Sequence, residues 1–139
     1  TLKDNQSLIK ALKNNTIDVI TSDHRPHEEE VKKVEFNNAA YGIIGLESMF
    51  GLLGKYILPH INLNQLIEKI AINPRTILGL EKISINEGRK ANITLFNPSL
   101  SWDFNNESIK SKSKNSPFIG ERLTGKALAI YNNGEFREC

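Results

Sequence analysis

The sequence has few cysteines, no long hydrophobic run and little charge imbalance. Its one cysteine, Cys139, is the last of 139 residues, so no intramolecular disulfide can form and a reducing cytoplasm is favoured. No stretch reaches the roughly 18 apolar residues that a membrane span needs, and the first residues lack the apolar core of a signal peptide. A net charge of +2 predicts neither a nucleic-acid nor a membrane-surface binder.

The remaining composition is that of a chain that can bury a core. Hydrophobic residues make up 39% and charged residues 24%, which excludes a disordered tail. The length allows one domain, or the end of a larger one with a small appendage. Because the sequence starts at Thr1 without a methionine, we expect it to begin inside a larger protein.

Residues 1–80 show the alternation of helix and strand that is typical of an α/β fold. The short β-branched segment Ile17–Thr21 predicts a buried parallel strand. Three helices are predicted around it. The first is capped by Asp4, ends at Asn14 and has Leu8, Ile9 and Leu12 on one face. The second covers Leu46–Ile57 with Met49 and Phe50 in the core, and the third begins at Asn62 and is broken by Pro74.

Residues 81–139 change to short strands and turns. Strands are predicted at Ala91–Phe96, which should end at Asn97-Pro98, and at Lys126–Tyr131, before an Asn133-Gly134 hairpin turn. We expect their apolar side chains to face a shared core, with Trp102 packed in the same unit and His60 at the surface of the preceding part. The core set is Ile93, Leu95, Leu128 and Ile130.

Asp23-His24-Arg25-Pro26-His27 follows directly after the predicted first strand. Ligands bind at the carboxyl ends of strands in parallel α/β folds, where a carboxylate can bind a metal and transfer a proton. Alternatively, Asp23 caps the next turn and both histidines are ordinary loop residues. Short motifs give many false matches, so these residues alone leave both interpretations open.

A colinear series of segments resembles the dihydroorotases, cyclic amidohydrolases of the amidohydrolase superfamily. Thr21-Ser22-Asp23-His24-Arg25-Pro26-His27 resembles the family's Thr-Asp-His-Ala-Pro-His, with Arg25 in place of the usual alanine. The other matching segments are Ala40–Glu47, Asn73–Leu80, Glu87–Phe96 and Ser113–Phe118, with Gly120 and Gly125.

The resemblance implies a fold and a domain division. Residues 1–80 would be the last strand and helices of a metal-dependent (β/α)₈ TIM barrel, and residues 81–139 part of a small β-sandwich domain. A whole barrel needs about 250 residues, so the chain would be the C-terminal portion of such an enzyme and inactive by itself.

The resemblance also implies roles for individual residues. Asp23 would bind zinc and act as the catalytic acid/base, while His27 would contact the substrate carboxylate and the backbone of Tyr41 and Gly42 the substrate. His24 would be structural. One or two zinc ions would be held mostly by ligands that cannot be placed on these residues.

The implied reaction is the reversible cyclisation of N-carbamoyl-L-aspartate to L-dihydroorotate in pyrimidine biosynthesis. Two alternatives stay open: another cyclic amidohydrolase, such as an allantoinase or hydantoinase-like enzyme, and a catalytically silent dihydroorotase-like subunit that supports aspartate transcarbamoylase. The partner would be the small-molecule substrate, with no nucleic acid and no membrane. A homodimer or an association with aspartate transcarbamoylase would also fit the family.

Overall fold

The computed structural model describes residues 1–139 as a helical part followed by a small antiparallel sheet. The helices are α1 (Leu2–Lys13), α2 (Glu29–Lys32), α3 (Met49–Tyr56), α4 (Leu63–Ile67) and α5 (Asn73–Ile77), with a π-helical turn at Glu68–Ile72 between the last two. The strands are β1 (Asn92–Asp103), β2 (Arg122–Asn132) and β3 (Glu135–Glu138). None of the helices combines the length and the apolar character needed to cross a membrane.

Helix α1 begins with a capping box, but its cap is Thr1 and not Asp4 as predicted. The Asp4 N–H donates to Thr1 Oγ1, and the Asp4 carboxylate accepts from Thr1 in return. An acidic residue at the third helical position is the usual partner of a threonine cap, which explains the three-residue difference. The helix ends before Asn14, as expected.

The predicted strand Ile17–Thr21 is not formed. Residues 17–23 have no regular secondary structure, and the one bridge nearby is a parallel pair between His24 and Ile43. A strand requires hydrogen-bonded neighbours along its length. Within this chain, Ile20 N–H donates only to the Lys69 carbonyl oxygen, so no ladder develops.

The helix that begins at Asn62 does not stop at Pro74. Asn62 caps α4 in a reciprocal arrangement with Gln65, as the sequence predicted. The chain then widens into the π-helical turn and continues as α5, where Pro74 occupies the first turn. Proline is tolerated there because the first helical N–H groups have no intrahelical acceptor.

The sheet has the order β1-β2-β3 and is antiparallel throughout. Strand β1 runs past Asn97-Pro98, where the sequence predicted its end, because a register irregularity between Asn97 and Ser101 accommodates the proline. The Asn133-Gly134 turn forms as predicted, with both residues at positive φ.

Two buried clusters hold the molecule together. The first consists of Leu12, Leu53, Ile61 and Leu66, and the second of Ile44, Phe104, Ile109 and Leu123. Helix α3 contributes side chains to both clusters, since Met49 packs on the first and Leu52 on the second. The second cluster thereby joins residues from the helical part to the sheet and its long β1–β2 loop.

The core predicted for the sheet is wrong. Ile93, Leu95, Leu128 and Ile130 are each more than a third exposed. The register explains this result, because Ile93 lies opposite Tyr131 while Ile130 lies opposite Thr94, which places the two isoleucines on different faces. Trp102 does pack in this unit, where its indole N–H donates to the Gly125 carbonyl at 2.9 Å.

Candidate functional site

Asp23 stands exposed at the start of the candidate site. Its φ is +41°, and its side chain is 71% exposed. The carboxylate accepts a hydrogen bond from Arg25 Nε at 3.0 Å, and no backbone N–H donates to it. The interpretation of Asp23 as a turn cap therefore has no support in the structure, and the carboxylate is open to a ligand.

His24 is fixed by backbone and side-chain contacts. Its Nδ1 accepts from the N–H groups of Gly45 and Leu46 at 3.1 and 3.3 Å, which places the ring proton on Nε2. Nε2 lies 3.5 Å from Ser111 Oγ, and that hydroxyl donates to Glu47 Oε1 at 2.6 Å. His24 thus connects the Asp23–His27 loop to two distant segments, one at Gly45 and Leu46 and the other at Ser111.

Glu47 accepts two hydrogen bonds from Ser111, the residue that His24 contacts. Burial of its carboxyl disfavours the charged form, but hydrogen bonds from the Ser111 hydroxyl and backbone N–H outweigh that effect and hold the pKa of Glu47 below its ordinary value. An ionised Glu47 is a strong acceptor for both Ser111 donors. Sequence reasoning did not identify either residue.

His27 and Tyr41, predicted as substrate contacts, lie together. His27 Nε2 donates to the Tyr41 carbonyl oxygen at 2.7 Å, while the Tyr41 side chain is 88% exposed. The other ring nitrogen, Nδ1, has no partner in the chain, and it can donate to an anion when the ring carries both protons. The backbone N–H groups of Tyr41 and Gly42 also have no acceptor.

Gly42 occupies a position that only glycine fits. Its φ is +111°, and a Cβ there would lie 2.6 Å from Arg25 Cβ. Its carbonyl oxygen accepts from Lys32 Nζ at 2.9 Å and Asn115 Nδ2 at 3.2 Å. The Asp23–His27 loop and the Tyr41–Gly42 segment are therefore in direct contact, as the predicted shared site requires.

A cleft of about 770 Å³ borders His27. It has no hydrophobic lining residue, and four lysines contribute to it: Lys32, Lys33, Lys112 and Lys114. Lys112 has no hydrogen-bond or ion-pair partner, whereas the other three bind carbonyl oxygens or Glu29. The lysines outnumber the two carboxylates of the lining, Glu28 and Glu29, and a polar cleft with a cationic surplus suits a small anion.

The chain does not carry a zinc site by itself. No three His, Cys, Asp or Glu side chains converge, whereas catalytic zinc normally has three protein ligands. Asp23 is the one predicted ligand present, and its nearest charged partner is Arg25. Any metal bound here needs ligands from beyond these residues.

No family model matches the chain, but individual proteins do. It is 42% identical over 136 residues to the dihydroorotase of Chlorobaculum tepidum, a match that covers 96% of this chain and 31% of that protein. It is 40% identical to the dihydroorotase of Acetivibrio thermocellus, over 96% of this chain and 32% of that protein. The chain spans about a third of the length of these curated relatives.

Solved structures with the same fold include hydantoinases. A D-hydantoinase superposes with a TM-score of 0.83 at 21% identity, covering 98% of this chain and 31% of that one. The L-hydantoinase (dihydropyrimidinase) from Arthrobacter aurescens gives 0.81 at 24%, covering 93% and 30%. At these identities the likeness establishes the fold alone.

Proposed function

We infer that this chain is the C-terminal part of a dihydroorotase, and that the whole protein converts N-carbamoyl-L-aspartate and L-dihydroorotate into one another. The observation that carries the proposal is sequence identity of about 40% to dihydroorotases along nearly the entire chain. The contact between the Asp23–His27 loop and Gly42 supports it, because one substrate could then touch both.

We place the chain at the end of a (β/α)₈ barrel. Residues 1–80 would supply the last strand and helices, and residues 81–139 part of a small β domain. Ile17–Thr21 would become a strand once the rest of the barrel offers partners, since the segment has apolar β-branched residues and free backbone groups.

Asp23 would move the proton in ring opening and closure. Its exposed carboxylate can accept a proton from the attacking water and return it to the departing amide nitrogen. It would also be one ligand of a zinc site whose other ligands lie outside these residues. Zinc, when bound, would polarise the carbonyl.

His27 and the Tyr41–Gly42 backbone would bind the substrate. His27 Nδ1 has no partner within the chain and is placed to contact a carboxylate, and the free N–H groups of Tyr41 and Gly42 can donate to substrate oxygens. Unpaired Lys112 adds positive charge at the cleft. The cationic groups beside His27 favour an anionic ring over a neutral one.

The test is to assay the full-length protein with L-dihydroorotate, hydantoin, dihydrouracil and allantoin. We expect turnover of L-dihydroorotate, and a loss of at least about a hundredfold in Asp23→Asn because the proton acceptor is removed. Asp18→Asn, an exposed aspartate in the same segment, is the control and should keep full activity.

Three results would contradict parts of the proposal. Preference for a neutral ring would favour a hydantoinase-like enzyme, and absence of all turnover would favour a silent subunit, for which co-purification with aspartate transcarbamoylase is the check. Near-normal turnover in Asp23→Asn would remove Asp23 from the reaction.

We also expect a cytoplasmic protein, because its one cysteine is exposed and unpaired.

A further inference from the structure

The loop between β1 and β2 reaches from the sheet to the candidate site. Its base is closed by hydrogen bonds from Phe104 N–H to the Glu121 carbonyl and from Gly120 N–H to the Phe104 carbonyl. Phe104 and Ile109 are buried in the second cluster. The loop is therefore fixed to the protein core, so it can restrain the segments of the candidate site that it contacts.

Residues 111–115 of this loop present alternate side chains to the site. Ser111, Ser113 and Asn115 bond to the site loops, whereas Lys112 is exposed and Lys114 donates back to carbonyl oxygens of its own loop, those of Asn106 and Ile109. This alternation is the two-residue period of an extended segment. We call residues 111–115 the bridging segment.

The bridging segment ties together the two parts of the candidate site. Asn115 Nδ2 donates to the Arg25 carbonyl at 3.1 Å and to the Gly42 carbonyl at 3.2 Å, and the Asn115 carbonyl accepts from Ile44 N–H at 3.1 Å. One amide group thus spans the backbone that carries Asp23 and the backbone that carries Gly42.

Ser113 holds the backbone of His27 itself. Its hydroxyl lies 2.6 Å from the His27 carbonyl oxygen, to which it donates, and it accepts from His27 N–H at 3.3 Å. Asn115 Oδ1 also faces this hydroxyl and competes with the His27 carbonyl oxygen for its one proton, and in this orientation the Asn115 NH₂ group faces the two carbonyls. The two side chains therefore act as a pair.

We propose that Ser113 and Asn115 are positioning residues that set the spacing between His27 and the Tyr41–Gly42 backbone, and with it the affinity for the anionic substrate. The proposal rests on the proposed function, because it assumes that these groups contact the substrate. The proposal assigns a role in the reaction to residues 81–139, which contain none of the predicted site residues.

The test compares Asn115→Ala and Ser113→Ala in the full-length protein. Because both residues hold substrate-contacting groups and neither touches Asp23, each variant should raise KM for L-dihydroorotate by about tenfold or more and change kcat much less. Ser113→Thr keeps the hydroxyl and should restore KM. Glu107→Ala, which alters an exposed side chain of the same loop that has no bond and does not line the cleft, is the control.

Hydrogen exchange provides a second measurement that needs no activity. Amides of residues 23–27 and 41–45 should exchange faster in Asn115→Ala than in wild type and Glu107→Ala. If Asn115→Ala does not fold, Ser113→Ala against Ser113→Thr decides by both measurements. A wild type without turnover on dihydroorotate would refute the proposed function, while exchange would still judge the bridging segment.

Two results would overturn the positioning role. If wild type is active and the folded Ser113→Ala and Asn115→Ala variants keep wild-type KM and exchange, the bridging segment does not position the site. A fall in kcat with KM unchanged would also refute it, because it would place the segment's effect on the proton-transfer step instead of on substrate binding.

Discussion

Asp23 adopts a backbone conformation that residues with side chains seldom take. At φ +41° it lies in the left-handed region, where aspartate is tolerated better than most residues. Such conformations persist where the surroundings impose them, and they concentrate at functional sites. The contacts that fix the backbone of Asp23 are made by the next two residues. His24 accepts hydrogen bonds from two backbone N–H groups, and Arg25 packs on Gly42.

The role of His27 can be separated from that of Asp23. Replacing His27 with alanine in the full-length protein should raise KM for L-dihydroorotate about 10- to 100-fold, because the substrate carboxylate loses its contact with the imidazole. Zinc content should stay at the wild-type level. The control is His60→Ala, which alters an exposed histidine without a side-chain partner. Loss of zinc with unchanged KM would show that the two roles are reversed.

Sequence reasoning found the residues of the site that lie near one another in the chain and missed those that do not. Asp23 and His27 belong to one short motif, and the resemblance added Tyr41 and Gly42. Ser113 and Asn115 were matched to the family without a role, because their partners lie 73 to 90 residues away. No local pattern encodes a contact at that separation.

The same distinction holds for helices and strands. The three predicted helices form close to where they were expected, since capping and turn-to-turn contacts are local, whereas α2 and the helical continuation past Pro74 were not predicted. Ile17–Thr21 is not a strand, because no neighbouring segment forms a hydrogen-bonded ladder with it. The sheet formed, but its inward face was misjudged, since the face depends on the register between β1 and β2.

Helix α3 packs on β2 through glycines, and this contact can be tested. A Cβ on Gly54 would overlap the Thr124 carbonyl oxygen, and one on Gly51 would lie 2.9 Å from Leu123 Cβ. Alanine for glycine within a helix normally stabilises by about 0.5–1 kcal/mol. We expect the opposite sign for Gly54→Ala, a lower thermal midpoint than wild type. An unchanged or higher midpoint would contradict this packing.

The ion pair between Lys55 of α3 and Glu121 before β2 should make stability depend on pH. The hydrogen bond from Lys55, followed by that from Tyr56, holds the pKa of Glu121 below 4.5, and the bond to Glu121 raises the pKa of Lys55 above 10.5. The contribution of Glu121 is therefore complete above pH 4.5 and lost as the pH falls through its lowered pKa. That of Lys55 is complete below 10.5 and lost at higher pH.

Substituting Glu121 with glutamine should accordingly lower the thermal midpoint at pH 7 and have a diminishing effect as the pH falls below 4.5. Glu81→Gln, which alters an exposed carboxylate without a side-chain partner, is the control and should track wild type. A difference between Glu121→Gln and wild type that is the same at pH 3 and pH 7 would show that the ion pair is not its cause.

At the scale of the molecule, the chain exposes more surface than a folded protein of its mass should. Its accessible area is 10183 Å², whereas a compact monomer of this mass exposes about 7,300 Å². Only 15 of 139 residues are buried, and the exposed apolar side chains include Leu2, Leu8, Ile77, Leu78, Ile85 and Leu95. A surface of this size and character needs further protein to cover it.

This surplus surface predicts how the isolated chain behaves. With nothing to cover them, its apolar faces and the open edges of its sheet should drive association with other copies. Sedimentation velocity on the 139-residue chain should therefore show species whose size grows with concentration, while the full-length protein keeps one defined state. Because Asp23 alone cannot hold zinc, elemental analysis should find no stoichiometric metal, and the chain should not open dihydroorotate. A stable monomer with one zinc per chain and measurable turnover would show that these residues build a complete site without the rest of a barrel.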